Sequence, residues 1–389
     1  MTKHALYLHV PFCVHRCAYC DFNTYAGQDA LIPAYVDGLI REIELISASR
    51  QIAAKSIFFG GGTPSLLSPI QLASLMETLR ANFAWDDALE VSLEANPGTV
   101  SLDYLQKLRD AGFNRLSFGV QSAHPDDLHL LERIHDFWDV IHAVKWARQA
   151  GFDNLSLDLI FGLPEQPLSR WQETLKYALD LHPEHLSLYA LTVEHGTPFG
   201  HWAARGMIPL PDPDLAADMY EWASEFLAEN GYIQYEISNW AKPKYECQHN
   251  LQYWRNLPYL GFGAGAHGYA ARTRYSNILG IQPYINRLKK GSMIEFPRSP
   301  ASISKEEISP YQAMQETMML GLRLTQEGVS AEDFRSRFGS SIEDVFRQEL
   351  DELFSLALLE WADIGNEKAL RLTPHARLLG NQVFRRFVG

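Results

Sequence analysis

Leu6-Tyr-Leu-His-Val-Pro-Phe-Cys13-Val-His-Arg-Cys17-Ala-Tyr19-Cys20-Asp-Phe22 decides how the rest of the chain is read. Its apolar opening runs into a proline, which reads as a short buried strand, and the loop beyond it delivers three thiols within eight positions. Three of the four cysteines in 389 residues lie here. Cys-x3-Cys-x2-Cys is an odd framework for zinc, which would need a fourth ligand from elsewhere, and for a disulfide, which would leave one sulfur over. Three thiolates are what a 4Fe-4S cluster needs if one iron is to stay open for a small ligand. Three ordinary buried cysteines are the alternative.

Working outward, the length allows two domains or one large α/β unit with an appendage, and 46% hydrophobic residues supply a substantial core. Lys plus Arg number 34 against 47 acidic residues, a net charge of -13, so no phosphate-tracking surface is suggested and nucleic acid is not expected as a partner. Met1-Thr-Lys-His-Ala has no signal-peptide character, and no run approaches about eighteen apolar residues. A soluble, cytoplasmic protein is expected. Clustered rather than scattered cysteines also suit a reducing compartment.

Strand-like runs at 6–10, 56–59, 89–93, 115–120, 155–160 and 186–191 alternate with helical patterns, such as 33–47 with Leu39, Ile40, Ile43 and Ile46 on one face. Six β-α units predict a parallel sheet with helices outside and ligands at the carboxyl ends of the strands. The second strand ends in Gly60-Gly61-Gly62-Thr63-Pro64, where amides without side chains can approach a ligand closely; a flexible turn is the bland reading. Glu94, at the tip of the third, could accept hydrogen bonds from a ribose. Taken singly, Gln121, Arg133 and Asp158 read as a turn amide, a solvated helix charge and a helix cap.

A proline-rich connection at 209–213 closes this region, and 214–230 reads as an amphipathic helix ended by Gly231. Aromatic residues then crowd around Cys247-Gln-His249-Asn250-Leu-Gln-Tyr253-Trp254. Haem binding needs an imidazole for iron and flat apolar side chains, which His249, Tyr253 and Trp254 could supply; the alternative is an ordinary hydrogen-bonding histidine in a packed β-rich extension. From about Phe296 the pattern becomes helical, at 310–321, 330–338 and 342–356, followed by a strand pair and a last helix at 372–380. That order is winged-helix-like, and without a basic stripe a structural or substrate-covering role is expected. The expected division is 1–208, 209–295 and 296–389.

Taken together these motifs resemble radical S-adenosylmethionine (SAM) proteins, and Tyr7-Leu-His-Val-Pro-Phe-Cys13 resembles the oxygen-independent coproporphyrinogen III oxidase family within them. The resemblance implies an open, three-quarter version of the TIM-like β/α barrel. It implies a 4Fe-4S cluster on Cys13, Cys17 and Cys20, with SAM on the open iron. It further implies SAM contacts from Tyr7, Tyr19, Gly61, Gly62, Thr63, Glu94, Gln121, Arg133, Asp158 and Thr192. His249-Asn-x-x-Tyr253-Trp254 resembles the family's haem chaperone branch, which implies His249 as the ligand of haem iron; Cys247 is taken as a packing residue.

An enzyme and a carrier therefore compete: radical SAM oxidative decarboxylation of coproporphyrinogen, or haem held and passed to an apoprotein. The resemblance implies that the oxidases carry a fourth cysteine where this chain has Phe22, and a long segment before the loop where twelve residues precede Cys13. With the His249 motif, both features point to the carrier, and coproporphyrinogen oxidase activity is expected to be absent. The expected partners are haem as cargo and haem-accepting apoproteins, respiratory-chain proteins among the candidates. Contact with the inner membrane face is at most peripheral, and a homodimer is left open.

Overall fold

A strand turns successive side chains to opposite faces, so a period of two decides what each strand shows to either side of a sheet. In the computed structural model, which describes residues 3–86, 88–292, 295–365 and 367–388, six long strands follow one another: β1 (Lys3–Val10), β2 (Ala53–Gly61), β3 (Glu90–Ala95), β4 (Arg115–Gln121), β5 (Leu155–Phe161) and β6 (His185–Ala190). Neighbours pair in parallel in that order. One face carries Leu6, Leu8, Ile57, Phe59, Leu93, Leu116, Phe118 and Leu157, all in a single core. The intervening positions carry Ser56, Glu90, Ser92, Glu94, Arg115, Ser117 and Asp158, a polar lumen.

Helices cover the apolar face. α1 (Ile32–Ser49) buries Tyr35, Leu39, Ile43 and Ile46, spaced to fall on one side. α2 (Pro69–Asn82) starts on a reciprocal Ser68–Gln71 capping box. α3 (Leu102–Ala111) stops at left-handed Gly112. α4 (Phe137–Gln149) and α5 (Leu168–Asp180) continue the layer. Helix Pro213–Glu229, close to the expected 214–230, and helix Ile281–Lys290 extend it, with Met219, Leu227, Tyr284 and Leu288 in the same core.

The sheet runs further than the six-unit pattern foretells. Beyond β6 lie antiparallel β7 (Ile233–Glu236) and β8 (Asn239–Ala241). On the other side β9 (Tyr259–Phe262) pairs in parallel with β1, followed by antiparallel β10 (His267–Ala270), β11 (Thr273–Ser276) and β12 (Glu306–Glu307). The order is β12-β11-β10-β9-β1-β2-β3-β4-β5-β6-β8-β7, an open sheet whose ends do not meet. β9 is a seventh parallel strand, too short and glycine-interrupted to stand out as a periodic run; a Cβ on its Gly261 would lie 1.9 Å from the His267 carbonyl oxygen.

Glu42 fastens the β9 side to α1. Fully buried, its carboxylate accepts hydrogen bonds from the Gly263 amide (2.8 Å), Tyr284 Oη (2.7 Å), Asn277 Nδ2 (2.8 Å) and Ser299 Oγ. Burial pushes its pKa up, and the four donors pull against that.

The C-terminal part has its own core, with Met318, Phe334, Phe346, Leu350, Leu370 and Phe384. Helix Pro310–Gly321, strand Val329–Ser330, helix Ala331–Phe338, two short helices and the hairpin Leu359–Ile364 with Glu367–Leu372 follow in winged-helix order. The helix expected at 342–356 breaks into Ile342–Val345 and Arg347–Ser355. At the break, the Phe346 ring sits edge-on against Phe334 and Phe387. The last expected helix is a 3-10 turn, Pro374–Leu379, running into helix Gly380–Arg386. Arg274–Glu316 (2.7 Å) and Arg255–Glu327 (2.6 Å) tie this part to the sheet extension. Among the described residues no helix is long and apolar enough to cross a membrane.

Glu42→Ala leaves four buried donors facing a void, and each orphaned group costs roughly 1–3 kcal/mol. The expected outcome is a loss of at least about 3 kcal/mol in urea unfolding, with Glu42→Gln recovering part of it; an unchanged midpoint in the alanine variant would show that the clasp is not structural.

Candidate functional site

At the carboxyl ends of β1 to β6 the lumen opens into a cavity of ≈ 410 Å³, lined by the cysteine loop, the glycine run and the strand tips. The loop is pinned at its base where Phe12–Cys13 pairs in parallel with Tyr25–Ala26, and tightened by a Cys20 amide to Cys17 carbonyl bond of 3.1 Å. Thr63 Oγ1 donates to Cys13 Sγ (3.7 Å) and Arg133 Nη1 donates to Cys17 Sγ (3.6 Å), while Cys20 Sγ lies 4.0 Å from Thr24 Oγ1. Each sulfur thus faces a donor able to stabilise a thiolate. Burial pushes the Cys13 and Cys20 thiols up, partly offset by these hydroxyls. Among the described residues no three His, Cys, Asp or Glu side chains form a group that could hold a metal ion. Cys13, Cys17 and Cys20 all line this cavity.

The glycines are needed for close approach. A Cβ at Gly62 would lie 2.6 Å from the Phe12 carbonyl oxygen and 3.0 Å from Cys13 Sγ. Gly61, at φ +117°, would drive one into the His9 ring at 2.6 Å. The expectation that these amides approach a ligand needs correction. Gly61 N donates to Glu94 Oε2 (3.1 Å), Gly62 N to Val10 O (2.8 Å) and Thr63 N to Phe12 O (2.8 Å). The run binds the cysteine loop to the strand tips, and Gly61, Gly62 and Thr63 still line the cavity.

Burial raises Glu94 to about 8, and nearby Asp158 adds to the effect. Asp158 is also raised by burial, although hydroxyls of Ser187, Ser117 and Ser156 hydrogen-bond it. Gln121 and Glu132 hold left-handed backbone, φ +68° and +54°, a conformation that non-glycine residues keep only when their surroundings enforce it. At Gln121 the register of β4 against β5 slips, which re-aims the strand end. Arg133 reaches back through Nη2 to the Gly119 carbonyl (2.7 Å). Tyr19, Gln121, Arg133, Asp158 and Thr192 all line the cavity with the three cysteines and Glu94.

Tyr7 and His249 do not line it. The Tyr7 hydroxyl bonds His9 Nδ1 at 2.9 Å, and its ring centroid lies 6.3 Å from that of His249. His249 opens helix Gln248–Trp254, which we label α6 and which fills the amino-end side of the lumen. The ring is 1 % exposed and packed between Phe58 (5.0 Å) and Tyr253 (4.9 Å). Nδ1 meets Ser56 Oγ at 2.9 Å and Nε2 meets Tyr253 Oη at 2.8 Å. The expected iron ligand therefore has no open nitrogen as folded, and haem does not fit at it. Burial, with Arg115 nearby, lowers its pKa to about 3.

Residues that the sequence reading passed over complete this floor. Glu90, at the start of β3, accepts from the amides of Gln248 (3.0 Å) and His249 (3.1 Å) and from Cys247 Sγ (3.6 Å), capping α6. Burial opposes the charge of Arg115, 2 % exposed, and the nearby carboxylates Glu90 and Asp158 favour it. The Glu90-x-Ser92-x-Glu94 alternation was the available signal. Arg133 Nε and Asn96 Oδ1, both in cavity-lining residues, are buried without a partner, as groups awaiting a polar ligand are. A cluster on the three thiols with SAM beside it fits this donor set.

Residues 7–178 match the model of the radical SAM superfamily, and 308–379 match the HemN C-terminal domain. The chain is 41% identical to heme chaperone HemW of Bacillus subtilis, over 98% of each chain. It is 36% identical to heme chaperone HemW of Escherichia coli, over 99% of this chain and 98% of that one. Among solved structures, coproporphyrinogen III oxidase (HemN) from Escherichia coli superposes with a TM-score of 0.83 at 25% identity, covering 99% of this chain and 90% of the oxidase.

Gly62→Ala should displace the Cys13 loop by overpacking worth ~1–3 kcal/mol and lower iron and sulfide uptake on anaerobic reconstitution. Gly98→Ala, whose added Cβ meets nothing nearer than 3.8 Å, should load as wild type. Equal loading of both variants would contradict the close approach. For Glu94 the folded pKa of about 8 exceeds the ordinary value of 4.5, so the fold holds the proton more tightly than the unfolded chain. Stability from this group is present below the ordinary value and declines as pH rises towards the folded one. The urea midpoint of Glu94→Gln should therefore fall less than that of wild type between pH 6 and 9 (roughly the upper end of this window); parallel declines would rule out the assignment.

Proposed function

Because the chain belongs to the radical SAM superfamily and, within it, to the family whose curated relatives are named heme chaperone HemW, we propose that it binds haem and passes it to apoproteins, with a 4Fe-4S cluster and SAM serving that transfer. The observation that carries the reading is a cysteine trio opening on a cavity whose mouth presents Phe22, 64% exposed, rather than a further thiol.

In this proposal Cys13, Cys17 and Cys20 hold the cluster, and Thr63 and Arg133 steady two of the sulfurs by the hydrogen bonds described. Glu94 keeps one carboxylate oxygen on the Gly61 amide and offers the other to a ribose hydroxyl. Asp158, oriented by its serines, and Gln121, turned inward by the register slip, make the polar wall against the nucleoside. Arg133 supplies positive charge to the amino-acid end of SAM, and Tyr19, Gly61, Gly62 and Thr192 shape the remaining surface. Tyr7 acts from beneath, through His9 and the floor. A bound cluster with SAM supplies one-electron chemistry. The recipients are apoproteins that take up haem, those of the respiratory chain at the membrane face being the first to examine, and a homodimer is compatible with the reading.

The likeness to the oxidase structure favours a second reading, oxidative decarboxylation of coproporphyrinogen. One preparation separates the two. Reconstituted anaerobically and given SAM and coproporphyrinogen, the protein should yield no divinyl product at enzymatic rates, while titration with haem should give a saturating absorbance band. Cys17→Ala should lose the cluster spectrum and keep the haem band. Divinyl product at enzymatic rates would replace the carrier by the enzyme.

A further inference from the structure

The buried position of His249 leaves open where on this chain haem iron could find a ligand. Among the described residues, His15 is the histidine that lines the cavity. It stands between Cys13 and Cys17, its side chain 46% exposed, with Nε2 donating to Glu132 Oε2 at 3.0 Å. A carboxylate that holds one ring N–H fixes the tautomer and orientation of the imidazole and leaves the other nitrogen to a metal, the usual support of a metal-ligating histidine. The left-handed backbone of Glu132 shows that the protein enforces its position.

With this pair the cavity lining carries apolar side chains, the guanidinium of Arg16 and the carboxylates Asp21 and Glu194. Val14, Phe22 and Ile134, all lining the cavity, are 57%, 64% and 56% exposed. Three large apolar side chains held in water at one opening are a surface awaiting a cover. Arg16 donates through Nη2 to the Cys20 carbonyl (3.2 Å), leaving further N–H groups for a carboxylate. An imidazole for iron, apolar side chains for the macrocycle and a guanidinium for a propionate are the three chemistries haem presents.

We propose that haem docks across the cavity mouth, with iron on the ring nitrogen of His15 that is not bonded to Glu132, and that His249 is a structural joint of the floor. This rests on the haem-carrier reading above and specifies where the cargo sits. An exposed ligand on a surface loop suits a protein that must release its cargo, because the bond can exchange without unfolding the lumen.

The test is an anaerobic haem titration of the cluster-loaded protein, followed by the haem absorbance band and its spin state, with cluster absorbance recorded in parallel. His15→Ala should change the spin state and weaken binding, with added imidazole restoring the wild-type spectrum. Glu132→Gln should weaken binding by about tenfold with the cluster intact. His249→Gln, which keeps hydrogen-bonding capacity in the floor, should bind as wild type. If His15→Ala fails to load its cluster, the result for Glu132→Gln decides. Unchanged haem binding in Glu132→Gln, an unaltered spectrum in cluster-loaded His15→Ala, or loss of the band in a folded His249→Gln would each overturn the assignment while leaving the carrier reading standing. A wild-type protein that takes up no haem would overturn both.

Discussion

Arg115 carries a charge into a barrel interior where it is 2 % exposed, and the surrounding lumen is arranged to make that tolerable. A buried cation without compensation costs several kcal/mol, so opposite charge must be close. Glu90 lies near it on the floor side and Asp158 on the cavity side. Glu90 in turn caps α6, and Asp158 is hydrogen-bonded by serines of β4 and β5. The floor and the polar wall of the cavity therefore share one electrostatic balance. A lumen built of apolar residues would be cheaper to fold, but it would offer a nucleoside nothing to bind.

Much of this was legible in the residues. The six strand runs lie where the alternation put them, because buried parallel strands need apolar side chains on the helix-covered face. The cysteine loop was unmistakable, since three thiols at that spacing have few other uses. Less visible were contacts that join distant segments. Glu42 looked like one more helix acid, and nothing local says that Gly263, Asn277, Tyr284 and Ser299 converge on it. β9 escaped because four residues interrupted by glycine carry no period, and its place beside β1 depends on the whole turn of the sheet.

The motif around His249 shows what pattern reading leaves open. A histidine four residues from a tyrosine suggests a ligand with an aromatic neighbour, and on a helix that spacing puts the two on one face. Here the same spacing lets Tyr253 occupy the Nε2 of His249, so the pair is satisfied internally. Chemistry-bearing residue types at a suitable spacing are compatible with either outcome; burial decides. Conversely, His15 drew no notice in the sequence because its neighbours claimed the loop, and its partner lies 117 positions away.

The seating of α6 against Ser56, Phe58 and Glu90 gives the lumen a closed end. With that end closed, a chamber entered from its carboxyl side behaves as a stack. Under the proposed seating of haem, a nucleoside lying deeper would have to be in place before the flat cargo covers the mouth. In the proposed seating, exchange of the nucleoside would then wait on departure of the cargo, which couples the residence of one to the release of the other.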